Sequence, residues 1–355
     1  MAAIVDSATT VKRFKNIPYG SSAVADPKQH LDIYVPVSDL EDDTRPDDDD
    51  AQIGQGAVKA IPPQPVLVYI HGGAWRTGDK NDYEYLGEHF ASVHNLHTVV
   101  VGYRLSSFGA SHSGPAATAT DEPTTEAKTT ASSKKYINQH PTHLLDVTHA
   151  LKWLHDKSEP YFGFQPTGFV LVGHSCGAHL ASLLLFQPEW FGWTEVATDA
   201  RPLDLGAISE EVVENASTLA QKGQRLHESI KGCVGVEGIY DIPTLASQYP
   251  SYVDFISLAF GDSPDAWRRA SPQHLLPSSG VALPPYLVVH SPQDELMDLP
   301  HSERFADYLR TLNGGKGTVE LETGVTGKHF EMLRENEFFD VVASFVKRIT
   351  ADNVQ

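Results

Sequence analysis

Short apolar runs alternate with amphipathic stretches along most of the chain. Residues 66–70, 98–101, 169–172, 232–236 and 286–289 are largely continuous apolar runs of four or five residues. That is the pattern of strands covered on both faces, as in a parallel sheet. Residues 30–35 alternate with a period of two, and 318–322 read as a further strand. Segments 82–93, 142–155, 178–186, 302–312 and 335–349 carry apolar residues three and four apart, which predicts helices. Repeated strand-then-helix order predicts one doubly wound α/β domain over 1–355, with a mostly parallel central sheet flanked by helices.

Three segments break the rhythm. Residues 39–50 hold eight carboxylates and one arginine. Such a run repels itself and buries nothing, so it reads as a flexible, solvated loop. Residues 106–135 are rich in Ser, Thr, Ala and Gly without an apolar period, and read as a second flexible loop. Residues 188–231 begin with Trp190, Phe191 and Trp193 and continue polar. They read as a small cap or lid above the strand ends, where ligands bind in sheets of this kind.

Composition narrows the function classes. The 355 residues are 41% apolar and 21% charged, which suits a globular protein with a large core. The net charge of −19 argues against nucleic-acid partners and anionic membrane surfaces. Two cysteines, Cys176 and Cys233, build neither a disulfide framework nor a cysteine zinc site, and suit a reducing compartment. No secretory h-region opens the chain and no apolar run is long enough to span a bilayer, so a soluble cytoplasmic protein is expected. The sequence fixes no oligomeric state; a homodimer is the commonest closed assembly.

The chemistry concentrates in two glycine motifs. Gly173-His174-Ser175-Cys176-Gly177 lies between a predicted strand and a predicted helix. Strand, sharp turn and helix are the context in which G-x-S-x-G becomes a nucleophile elbow, with Ser175 raised above the sheet; outside it, the pattern is an ordinary glycine-rich turn. The N–H of Cys176, at the helix start, points where negative charge develops. About a hundred residues earlier, His71-Gly72-Gly73-Ala74-Trp75 follows the strand at 66–70. Its bare backbone at Gly72 and Gly73, with Ala74, can complete an oxyanion hole. A serine hydroxyl needs a base, and the base an orienting acid, in the chain order Ser, acid, His. His329 is the only histidine after His301 and falls in a loop beyond the last strand. Asp294 follows the strand at 286–289; Glu295 and Asp298 lie within four residues and compete for its role.

One spacing misleads. His140, His143, Asp146 and His149 recur every third residue. Steps of three drift around a helix by about 60° each, so these residues cannot converge on one ion, and no metal site is expected.

With these motifs assembled, the chain resembles the α/β-hydrolase family. It is most similar to the branch of hormone-sensitive-lipase-like esterases and kynurenine formamidases of fungal type. His71-Gly72-Gly73-Ala74-Trp75 matches the H-G-G-x-W of the formamidases and departs from the H-G-G-G of the lipase-like esterases, while the elbow fits both. The resemblance implies Ser175 as nucleophile, Asp294 as acid, His329 as base, and cofactor-free hydrolysis of N-formyl-L-kynurenine to L-kynurenine and formate in tryptophan breakdown. Trp75 is then expected to supply a flat apolar wall for the aromatic substrate. A short-chain carboxylesterase is the alternative. A non-catalytic binding protein on the same scaffold is a third reading, disfavoured because Ser, Asp and His candidates all survive.

Overall fold

β-Branched and aromatic residues line up into one eight-stranded sheet, ordered β1-β2-β4-β3-β7-β8-β9-β10. The strands are β1 (Thr10–Pro18), β2 (His30–Val37), β3 (Val66–Ile70), β4 (Thr98–Val101), β7 (Phe169–His174), β8 (Ile230–Val236), β9 (Tyr286–Val289) and β10 (Val319–Glu322). Two short strands, β5 (Ser107–Phe108) and β6 (Tyr136–Ile137), pair separately as an antiparallel ribbon. The computed structural model describes residues 9–20, 26–37, 63–109, 136–195, 223–278, 282–312 and 318–351. The acidic run 39–50 lies outside the described residues, as do 110–135 of the second expected loop.

The continuous apolar strands follow from two cores, one on each face of the sheet. Val66, Val68 and Ile70 of β3 join Leu144, Val147 and Leu151 of helix Thr142–Lys157, Leu180 and Leu184 of helix Cys176–Phe186, and Phe305 of helix Leu299–Leu312. Leu67 and Tyr69 point the other way, to Leu86 and Phe90 of helix Glu84–Ser92 and Phe338, Val342 and Val346 of helix Asn336–Ala351. A strand apolar at every position is thus a strand with a helix layer on each side. Strands β4, β3, β7, β8, β9 and β10 run parallel, while β1 and β2 add an antiparallel edge.

The segment expected as a cap, 188–231, overlaps the scaffold at its ends. Ile230 and Lys231 belong to β8, and Phe191 is buried against the His227 ring, so both described flanks are part of the scaffold. Residues 196–222 and the side chain of Trp193 lie outside the described residues. Among the described residues, no helix is long and apolar enough to cross a membrane.

In the series at 140–149, His140, His143 and Asp146 go to different partners. His143 meets the Ser106 hydroxyl at 2.9 Å, while the His140 ring lies against Phe260 and Trp190. The buried Asp146 takes the Arg104 guanidinium at 2.6 and 2.9 Å, the Arg104 N–H at 2.9 Å and the Gln29 amide at 2.8 Å. Removing this carboxylate strands a half-buried cation. Asp146→Ala is therefore expected to lower stability by roughly 2–3 kcal/mol, discounted for the partial exposure of Arg104, as read from urea unfolding midpoints.

Candidate active site

Strand β7 passes through Ser175 directly into helix Cys176–Phe186. Ser175 takes φ 54° and ψ −119°, a region that costs a residue with a Cβ about 1–3 kcal/mol and persists only where its surroundings enforce it. They do so here. The Ser175 N–H donates to the Val236 carbonyl at 2.8 Å, and the Ser175 carbonyl accepts from Ala178 at 3.1 Å and Ile239 at 3.3 Å. A Cβ at Gly177 would strike the Ile70 carbonyl, so glycine alone lets the helix start approach β3.

The His71–Trp75 loop lies against this elbow. A Cβ on Gly72 would come 2.7 Å from His174 Nδ1 and 3.0 Å from Ser175 Cβ. The next three residues have φ values of +118° (Gly73), +51° (Ala74) and +56° (Trp75). Successive left-handed residues curl their N–H groups into a concavity suited to negative charge. Side chains brace the curl. Cys176 Sγ accepts the Trp75 N–H at 3.2 Å, the Ala74 N–H faces the same sulfur, and the Tyr103 hydroxyl donates to the His71 carbonyl at 2.8 Å. Burial pushes the Cys176 thiol up to about 11, so it is a neutral brace and not a nucleophile.

The loops after β9 and β10 bring the acid and base candidates together. His329 Nδ1 donates to Asp294 Oδ2 at 2.8 Å, both groups being buried. Asp294 is fixed in turn through Oδ1, which accepts the N–H groups of Leu296 and Met297. Its two rivals do other work: Glu295 accepts the His329 backbone N–H at 3.0 Å, and Asp298 accepts the Gln248 side chain at 2.9 Å. His329 is tied to the elbow through His174, whose Nε2 donates to the His329 carbonyl at 2.9 Å, the two rings being 4.6 Å apart. A second carboxylate, Glu237 at the end of β8, lies 3.2 Å from His329 Nδ1. Although burial opposes the charge, the hydrogen bond to Asp294 and the adjacent Glu237 carboxylate outweigh it and raise His329 to about 9.

Trp75 is placed differently from the sequence expectation. Its indole is fully buried, edge-on to His179 and Phe260, in the core under the loop and not on an open wall. Among the described residues, His174, Glu237 and His329 are the one group with ligand-type atoms close enough to share a metal ion. Those atoms already serve one another: His174 Nε2 holds the His329 carbonyl and His329 Nδ1 holds Asp294. The donor set therefore fits proton retention better than chelation.

The BD-FAE family matches residues 132–309, a stretch that holds Ser175, Glu237 and Asp294 and just over half of the chain. The chain belongs to the BD-FAE family, an α/β-hydrolase family. The kynurenine formamidase of Meyerozyma guilliermondii is 26% identical to this BD-FAE protein over 284 residues, covering 79% of this chain and 83% of that one. A Mycobacterium tuberculosis protein named probable carboxylic ester hydrolase LipM is 26% identical over 276 residues, covering 76% of this chain and 50% of that one. Among solved structures, esterase B of Lactobacillus rhamnosis superposes with a TM-score of 0.59 at 17% identity, covering 98% of this chain and 89% of that one, a likeness of fold. The BD-FAE match ends before His329, so the base candidate rests on its geometry beside Asp294. Sequence reasoning missed Glu237 and Tyr103. For Glu237 a signal existed: a lone carboxylate directly ending the apolar run of β8.

Proposed function

We propose that this protein is a serine hydrolase of aryl formamides, cleaving N-formyl-L-kynurenine to L-kynurenine and formate. The observation that carries the reading is the enforced left-handed Ser175, packed on a loop of inward-curled amides and one residue from the His174 tie to the Asp294–His329 pair. In this reading Ser175 Oγ attacks the formyl carbon and gives its proton to His329 Nε2, while Asp294 steadies the imidazolium through Nδ1. The oxyanion is received by the N–H groups of Gly73 and Cys176, the Ala74 N–H being turned to the Cys176 sulfur; one such donor is worth about 2.7–4 kcal/mol of barrier. Gly72 contributes by its missing side chain, which lets the loop touch the elbow. His329 then protonates the departing aryl amine as the C–N bond breaks, and water hydrolyses the formyl-serine. No step calls for a cofactor or metal. Trp75 supports the loop from below and is not assigned a substrate contact.

Likeness to a kynurenine formamidase supports the formamide substrate, and likeness to LipM supports short-chain ester hydrolysis as the second reading. Purified protein assayed on N-formyl-L-kynurenine and on 4-nitrophenyl acetate separates them. The formamidase reading expects kcat/KM at least about tenfold higher on the formamide. The reverse ratio favours the esterase, and turnover of neither sinks both.

The His329 environment sets the pH dependence. The base must be neutral to take the serine proton, and the carboxylates hold it protonated up to about pH 9 in the free protein. Hence kcat/KM is expected to climb from pH 7 toward 9, roughly tenfold per unit well below the midpoint. A profile already flat at pH 7 would contradict that sign.

A further inference from the structure

Glu237 is fully buried, with its backbone in the left-handed region at φ 46°. A buried carboxylate needs partners of high quality, because burial alone penalises its charge. Its backbone help is weak: the Ser291 N–H lies 3.4 Å from Oε1. The nearer groups are rings, His329 Nδ1 at 3.2 Å and His174 Nε2 at 3.5 Å from Oε2. Glu237 nevertheless stays below the usual carboxylate range, against its burial, through His174 and His329. It is therefore a retained charge aimed at the imidazole proton that Asp294 also holds.

We propose that Glu237 is a second acid and positioning residue for His329, sharing its Nδ1 proton with Asp294. The inference rests on the serine-hydrolase reading for its role in turnover, though not for the pairing itself. Among the described residues, these ionisable groups face the ring. Asp294 and Glu237 contact Nδ1, His174 stacks obliquely from the elbow, and Glu295 takes the backbone N–H. His290 stands behind Asp294 at 3.9 Å. Among the described residues, only the two carboxylates favour the imidazolium through Nδ1, and both favour the tautomer with its proton there, leaving Nε2 bare for the serine. Two consequences follow. Glu237 adds to the alkaline position of His329. It also keeps the working tautomer when Asp294 is neutralised.

The test is an NMR titration of the His329 ring in the full-length protein, assigned by loss of its signal in His329→Gln. It is run on wild type and Glu237→Gln, with circular dichroism as the folding control. The midpoint is expected to fall by about one pH unit or more in Glu237→Gln, since one negative charge next to the ring is lost. An unchanged midpoint overturns the proposal, whatever the rates do. If Glu237→Gln does not fold, Glu237→Asp keeps the charge but draws it back; a lowered midpoint supports the proposal and an unchanged one overturns it. Rates on N-formyl-L-kynurenine and 4-nitrophenyl acetate add the functional half. Neutralising the sole acid of such a site costs about 10⁴-fold in kcat. Asp294→Asn should lose at least about tenfold less than that, and the full loss should appear only in Asp294→Asn/Glu237→Gln. Equal losses in the single and double variants overturn the shared-acid role. If the wild type hydrolyses neither compound, the hydrolase reading has failed, while the titration still decides the pairing.

Discussion

Ser175→Ala is expected to lower kcat on N-formyl-L-kynurenine by about 10⁶-fold, with circular dichroism and thermal unfolding close to wild type. Alanine removes only the side-chain oxygen, while Val236, Ala178 and Ile239 hold the backbone in place, so the elbow keeps its shape and loses the proposed nucleophile. His329→Ala should fall as far, and the double variant no further. The hydroxyl and the imidazole act as a unit, and removing either ends proton transfer. Residual turnover stays above the uncatalysed rate because the amide loop still polarises the carbonyl. Additive losses in the double variant would mean that the two groups work independently, which the mechanism forbids.

Gly72→Ala carries the second large effect, and it acts on geometry instead of chemistry. Gly72 does not occupy the left-handed region, so alanine fits its backbone; the obstacle is space. The added methyl meets His174 Nδ1 at 2.7 Å, Ser175 Cβ at 3.0 Å and the His174 carbonyl at 3.1 Å. Loop or elbow must give way, and the amides lose their aim at the serine. Displacing catalytic partners by even part of an ångström removes much of the benefit of orientation, so kcat is expected to drop about 10²-fold. Overpacking of this kind destabilises by about 1–3 kcal/mol, so the fold survives and urea unfolding can be compared directly with the rate loss. A Gly72→Ala protein with wild-type kcat would mean that this loop does not serve the reacting carbonyl.

Some of the fold was written in short stretches of sequence. Parallel strands β3, β4, β7, β8 and β9 were visible as apolar runs because each is covered on both faces. Strand β1 was not visible. It is an edge strand in which only Val11 and Ile17 are well buried, with Lys12, Arg13 and Lys15 between them and a register shift between Phe14 and Ile17. Charges of this kind keep an edge from pairing with another chain, and they also erase the alternation that announces a strand. The end of the expected cap was misplaced for a similar reason, since the polar approach to β8 hides where the strand begins.

The sequence by itself determined the strand–turn–helix at Ser175 and the glycine loop before it. Each depends on neighbours along the chain: tight turns need missing side chains, and helices start where capping and periodicity allow. Tertiary structure alone decided the rest. It chose Asp294 over Glu295 and Asp298 for the His329 ring, set Glu237 beside the same nitrogen, and turned Trp75 into the core. Those outcomes turn on which loops meet above the parallel strands. The partner of a buried charge is fixed by distances of a few ångströms between segments far apart in the chain, and no local pattern encodes such distances.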